Sequence, residues 1–265
     1  MSVGPFQPFW VESGGRRLYA AWHPAQPGRA GAAEAPAVLL LPPLLHEHYR
    51  SVRFLCELAS SLAAQGLHCL RFSHTGAGDS EGEGDDADLE VVAADIDRAA
   101  QALADCSGRS RLAMVAFRSA TLALPRWFER GGRCELMVTW DPVADGAAWL
   151  RARRAEDAQK RATIRPEPGM DCGDDRDLMG LAASPDMLAQ IDAARWSPAA
   201  LPAGTRLWQV LYAGQVAQPG VERPHALPQA VPGFGEGVLM DASLFFSTPL
   251  ERSVRELGAA MAGAA

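Results

Sequence analysis

Arg111-Leu112-Ala113-Met114-Val115-Ala116-Phe117-Arg118-Ser119-Ala120-Thr121 joins an apolar run to a segment rich in Ala, Leu, Trp and Phe. The first half has the composition of a short buried strand, and the second half predicts a helix. Between them stands Ala116-x-Arg118-x-Ala120. A strand that turns sharply into a helix through small-x-X-x-small is the layout of a nucleophile elbow, usually Gly-x-Ser-x-Gly. The small flanking residues let the two backbones approach, while the central side chain stands above the sheet edge. Here that side chain is Arg118. A guanidinium is permanently protonated and cannot attack a carbonyl. The frame of a covalent catalytic site is therefore expected without its nucleophile.

Working outward, residues 6–12 and 16–22 predict a hairpin turned at Ser13-Gly14-Gly15. Ala37-Val38-Leu39-Leu40-Leu41 reads as a central strand, stopped by Pro42-Pro43. Val52, Leu55, Ala59, Leu62 and Ala63 recur at helical spacing up to Gly66. Residues 67–72 predict the next strand, and residues 73–80 a tight loop. Leu89, Val92, Ile96, Ala99 and Leu103 form a second helical stripe, with Asp86 or Asp88 as its cap. Residues 134–140 and 206–212 read as further strands, residues 214–237 hold many Pro and Gly and predict little regular structure, and residues 249–261 read as a terminal helix. Pro125 should kink the helix after the elbow or make it restart near Leu124. Alternating strands and helices imply an α/β fold, a mostly parallel sheet covered on both faces. In such sheets ligands bind beyond the carboxyl ends of the strands. Four loops meet there: residues 42–50, 73–80, 116–120 and 141–146. Residues 145–200 break the alternation and are expected to form a small helical cap. Residues 1–144 and 201–265 then make up the core domain.

The 265 residues are 48% hydrophobic, ample for one such core. A formal charge of −7 without a Lys/Arg-rich patch argues against nucleic acid as a partner. The sequence shows no basic, apolar leader at its start and no run long enough to span a membrane, so a cytoplasmic location is expected. Five cysteines, an odd number with no Cys-x-x-Cys, read as reduced thiols.

At the four loops the sequence resembles the α/β-hydrolase superfamily. It is most similar there to serine-aminopeptidase-like, exosortase-associated hydrolases. The resemblance is carried by Leu41-Pro42-Pro43-Leu44-Leu45-His46-Glu47 and by Leu70-Arg71-Phe72-Ser73-His74-Thr75-Gly76-Ala77-Gly78-Asp79-Ser80. The elbow and Thr139-Trp140-Asp141-Pro142-Val143-Ala144-Asp145-Gly146 complete it. That subgroup often carries Arg at the elbow, and the resemblance implies an α/β-hydrolase-like fold with a cap. It also implies a triad acid after the strand at 206–212, where Ala213-Gly214-Gln215-Val216 offers no carboxylate. A triad His should precede the last helix, and the nearest one is His225. All three catalytic positions are thus unfilled at their usual places.

Arg118 reads either as an anion binder or as one half of a structural ion pair, with Glu47 its natural partner. Ser119 should supply a backbone N–H to an oxyanion, with its hydroxyl turned away, and Leu44 or Leu45 the second donor. Ligand-binding candidates are Arg118, Glu47, His46, His48, Leu44 and Ser119. Candidates for a catalytic role are Ser119, His74 and Asp141, the last by orienting His46, His48 or His74. His46-x-His48, with His74 and Glu47, could in principle hold zinc. The loop spacing defines no site, so neither a metal nor a cofactor is expected. Asp79 should brace its own turn. Two classes of function stay open. One is a catalytically degenerate protein that binds a small acidic or acyl ligand, or a protein partner or second copy, in exopolysaccharide or secondary metabolism. The other is an active hydrolase or acyltransferase on an ester, amide or thioester with relocated groups.

Overall fold

The computed structural model of the chain describes residues 6–26, 34–163, 177–233 and 247–263. The antiparallel hairpin β1 (Gln7–Ser13) and β2 (Arg16–His23) opens the chain, as the Gly14-Gly15 turn predicts. The parallel strands follow: β3 (Ala37–Leu41), β4 (Cys69–Phe72), β5 (Leu112–Phe117), β6 (Leu136–Trp140), β9 (Arg206–Leu211) and β10 (Arg223–Ala226). Together they form an eight-stranded sheet in the order β1-β2-β4-β3-β5-β6-β9-β10. The chain steps outward from β3 in both directions, so the strand ends around β3, β5 and β6 gather at one edge.

Every residue of β3 and β6 is buried, as expected for parallel strands covered on both faces. The alternation divides the core. Val38, Leu40, Val115, Phe117, Val138 and Trp140 face helices α1 (His46–Ala63) and α6 (Thr248–Ala262). Leu39, Leu41, Met114 and Met137 face α2 (Leu89–Ser107) and the short α3 (Leu124–Glu129). Asp88 caps α2 by accepting from the Val91 N–H. Asp86 instead closes the turn before it, accepting from the Glu83 N–H. After the elbow a 3-10 turn (Arg118–Ala123) gives way to α3 at Leu124, so Pro125 sits in a first turn, where its missing N–H costs nothing.

Three expectations need correcting. Residues 46–50 are not loop: α1 begins at His46, so His46, Glu47 and His48 stand on its first turn. Val52 is exposed and belongs to no buried stripe. Within 214–237, β10 extends the sheet beside β9, a short parallel strand hidden among prolines and glycines.

Between β6 and β9 lie α4 (Gly146–Thr163), a two-residue ribbon of β7 (Asp177–Leu178) with β8 (Leu181–Ala182), and α5 (Pro185–Ala193). This segment sits on the start of α2. Ser184 Oγ donates to the Ala87 carbonyl, and the Leu89 N–H donates to Gln190. The contact is tight, since a Cβ on Gly84 would come 2.2 Å from the Ala182 carbonyl oxygen. The Pro166, Pro168, Gly169 and Gly173 cluster falls outside the described residues. Among the described residues no helix is long and apolar enough to cross a membrane.

Candidate functional site

Three residues at the carboxyl ends of adjacent strands share a rare backbone. Leu45 after β3, Arg118 after β5 and Asp141 after β6 have φ of 52°, 50° and 48°. None is glycine, and left-handed backbone in such residues gathers where the surrounding structure imposes it, often at sites. At Arg118 it forms the sharp turn from β5 into the helical segment, where the sequence places an elbow.

The guanidinium above this elbow is committed to carboxylates. Arg118 Nε donates to Glu47 Oε1 at 3.0 Å, and Nη1 donates to Asp141 Oδ2. β3 and β5 are neighbours in the sheet, and α1 follows β3 after a tight turn, which brings Glu47 over the elbow. Glu47 is fully buried and accepts two further hydrogen bonds. Trp149 Nε1, from the first turn of α4, donates to Oε1 at 3.0 Å, and Ser119 Oγ donates to Oε2 at 2.6 Å. Burial alone would raise the Glu47 carboxyl. Arg118 and the hydrogen bonds from Ser119 and Trp149 overcome this and hold it below its usual value. Burial likewise works against the charged guanidinium, and Glu47 with Asp141 reverses that effect. Gln215 Nε2, in the loop after β9, donates to Asp141 Oδ1 at 2.6 Å. An amide thus stands in the loop where a triad acid was expected, and it braces a structural carboxylate.

The Ser119 hydroxyl does not turn away from the site, contrary to expectation. It faces the turn after β3, where it accepts from the Leu44 N–H at 2.9 Å while donating to Glu47. The Leu44 N–H expected for an oxyanion is therefore spent on a side chain. Asp141 pairs with Arg118 rather than orienting a histidine. His225 lies on β10, near Ser253 of α6 and away from the Arg118 cluster. Asp79 is exposed and makes no hydrogen bond among the described residues. Its turn is braced by Ser80, whose Oγ donates to the Ser73 carbonyl and accepts from the Tyr19 N–H. Asp95 of α2 locks the same loop by accepting from Thr75 N–H, Thr75 Oγ1 and Ser13 Oγ.

The histidines diverge. His46 stacks on Trp149 with centroids 6.0 Å apart, and neither ring nitrogen finds a hydrogen-bond partner among the described residues. His48 Nε2 lies 3.3 Å from Ser73 Oγ. His74 packs edge-on against Phe72, with ring centroids 4.9 Å apart, and lies near the Pro42 backbone. Burial pushes each of the three down to about 4, so all are neutral near pH 7. Among the described residues no three His, Cys, Asp or Glu side chains converge as metal ligands.

Beside this plugged elbow lies a cavity of about 220 Å³. Leu44, Leu45, His48 and His74 line it from the core, and Leu181 and Met187 from the segment over α2. Arg118, Glu47, Ser119 and Asp141 are not in its wall. The structure therefore brings the candidates together in two groups: an ion-paired cluster at the elbow, and a cleft holding His48, His74 and Leu44. Trp149 and Gln215 escaped sequence reasoning, because nothing local marks a tryptophan or an amide as the partner of a carboxylate distant in the chain.

No protein-family profile matches the sequence, and no curated protein matches it. Solved structures do. The chain is similar to Est1E of Butyrivibrio proteoclasticus, solved with ferulic acid bound, at 13% identity and TM-score 0.59, over 94% of this chain and 97% of that one. A proline iminopeptidase-related protein of Thermus thermophilus matches at 19% identity and TM-score 0.55, covering 98% and 100%. An esterase of Exiguobacterium antarcticum matches at 13% and 0.55, covering 84% and 91%. The fold is that of the α/β-hydrolases.

Proposed function

We propose that this chain is a catalytically silent protein of α/β-hydrolase fold that binds a small acyl-type ligand in the cleft beside the elbow. One observation carries the reading: the Ser119 hydroxyl and the Leu44 N–H are bonded to each other at 2.9 Å. A working site needs that N–H free for developing negative charge. Arg118 stands where a nucleophile would, and its charge is matched by Glu47 and Asp141. Of the acidic and acyl ligands considered, the acyl class is favoured, because the arginine that would anchor an anion is engaged. A cavity smaller than the roughly 300–1,000 Å³ of drug-sized sites fits a small ligand. Residues 145–200 act as its cap. The resemblance of the four loops to exosortase-associated hydrolases supports a role in exopolysaccharide or secondary metabolism.

A second reading, an active hydrolase or acyltransferase with relocated groups, draws on the 3.3 Å approach of Ser73 Oγ to His48 Nε2. His48 is a weak base at about 4, and among the described residues no acid hydrogen-bonds its Nδ1 to orient it. The binding reading is tested by thermal shift with short acyl esters and amides. Protection should appear in the native chain and vanish in Ala77→Phe, which fills the cleft from its exposed loop. Equal protection of both proteins would place the ligand elsewhere and end this reading.

A further inference from the structure

We infer that the cleft prefers a positively charged acyl ligand, its ammonium group held at the mouth by Glu83 and the ring of Tyr49. This rests on the ligand-binding reading above. Exposure decides which residues a ligand can meet. His48, His74, Leu44 and Val92 line the cleft but are almost wholly buried, so they shape it without offering polar groups. Tyr49 and Glu83 line the same cleft and are exposed. Glu83 brings the one carboxylate among the lining residues, and no Lys or Arg joins it there. The polar surface within reach is therefore an acid and an aromatic face, which together suit a cation.

Both groups are held in place. The Glu83 side chain accepts from the Asp86 N–H, and the Asp86 side chain accepts from the Glu83 N–H at 2.9 Å. Loop 73–80 packs on the same turn, since a Cβ on Gly76 would come 2.2 Å from the Glu83 carbonyl oxygen. A carboxylate has about four acceptor positions, so the Asp86 bond leaves Glu83 free to take a ligand. The nearby arginines are engaged, Arg16 with Asp86 and Arg17 with Glu81, and Glu83 has no cation partner among the described residues. Tyr49 is 48% exposed on the first turn of α1, and its hydroxyl accepts from the Gly78 N–H at 3.4 Å. An anionic ligand would meet the Glu83 charge with nothing basic in the wall to offset it. A dry cavity of about 150 Å³ holds benzene, so about 220 Å³ admits a body of roughly nine non-hydrogen atoms.

The test uses three small esters. Acetylcholine and 3,3-dimethylbutyl acetate share one shape and differ only in charge, and monomethyl glutarate is an anion of similar size. Affinities are measured by ligand-observed NMR on the full chain. Acetylcholine should bind about tenfold more tightly than its neutral twin, the worth of one exposed ion pair and one cation–π contact. Monomethyl glutarate should bind most weakly. Glu83→Gln, whose amide can still accept from the Asp86 N–H, should cut the preference to about threefold. Tyr49→Leu added to it should abolish the preference and leave the neutral ester bound. Equal binding of the twin esters, or tightest binding of the anion, overturns the charge preference; the cleft stays a ligand site if Ala77→Phe still weakens binding. A preference that survives the loss of both Glu83 and Tyr49 overturns their assignment. Failure of all three esters to bind, or binding that Ala77→Phe leaves untouched, overturns the ligand-binding reading as well.

Discussion

Glu47→Ala removes a carboxylate that is 0% exposed and leaves three donors behind it. Deleting one member of a buried pair costs about 3–5 kcal/mol, because the other charge is left uncompensated. Arg118 keeps Asp141, which places that cost near the lower end, about 3 kcal/mol. Trp149 Nε1 loses its acceptor, worth about 1–3 kcal/mol when no water replaces it. Ser119 still accepts from Leu44, so its loss is smaller. The expected destabilisation is about 4 kcal/mol, a large share of the roughly 5–15 kcal/mol that holds a domain together. Glu47→Gln keeps the volume and can still accept from Arg118 and Trp149, but its amide meets the Ser119 hydroxyl. About 2 kcal/mol is expected there. Urea unfolding at neutral pH measures both, with unchanged slopes required for the comparison. A double-mutant cycle with Arg118→Met should return a coupling of about 2–3 kcal/mol. A Glu47→Ala loss under about 1 kcal/mol, or a coupling within about 0.5 kcal/mol of zero, would refute the buried network.

Stability should fall steeply on mild acidification. His23, His46, His48 and His74 are held by burial at about 4, below the ordinary 6.5. Their folded values are depressed, so their contribution is complete above 6.5 and drains as pH drops toward 4. In that window the unfolded chain binds protons that the folded chain refuses, each worth about 1.4 kcal/mol per pH unit. Unfolding near pH 5 should take up more than one proton, and a flat urea midpoint from pH 7 to 5 would contradict the burial of these rings. Gly84→Ala should loosen the segment over α2, since the new Cβ would strike the Ala182 carbonyl. A loss of about 1–3 kcal/mol and faster proteolysis within 145–200 are expected; an unchanged melting temperature and digest would show that the contact is slack.

The strands and long helices were legible because their apolar residues follow the periods of two-sided burial. Ala37–Leu41 and Leu112–Phe117 are continuous apolar runs, and Asp88 is a cap at the start of a clear helical stripe. The sharp turn at Arg118 was legible from Ala116-x-Arg118-x-Ala120, and its pairing with Glu47 from the place of Glu47 after the double proline. The start of α1 was not, because its preceding residue is Leu45 in a left-handed conformation rather than a Ser, Thr, Asp or Asn cap. β10 was hidden because Arg223-Pro224-His225-Ala226 has no strand composition, and its proline is tolerated on an edge. The direction of the Ser119 hydroxyl and the roles of Trp149 and Gln215 depend on contacts spanning tens of residues, which no local pattern encodes.

Silence of the elbow is tested most directly with a fluorophosphonate probe read by intact mass. A serine activated for acyl transfer takes up the probe covalently, whether it sits at the elbow or elsewhere. Ser119 is bonded to Glu47 and Leu44, and Ser73 faces a weakly basic His48. The account predicts an unchanged mass after prolonged incubation at mildly alkaline pH. A stoichiometric adduct on Ser119 or Ser73, lost in the matching Ser→Ala variant, would contradict it.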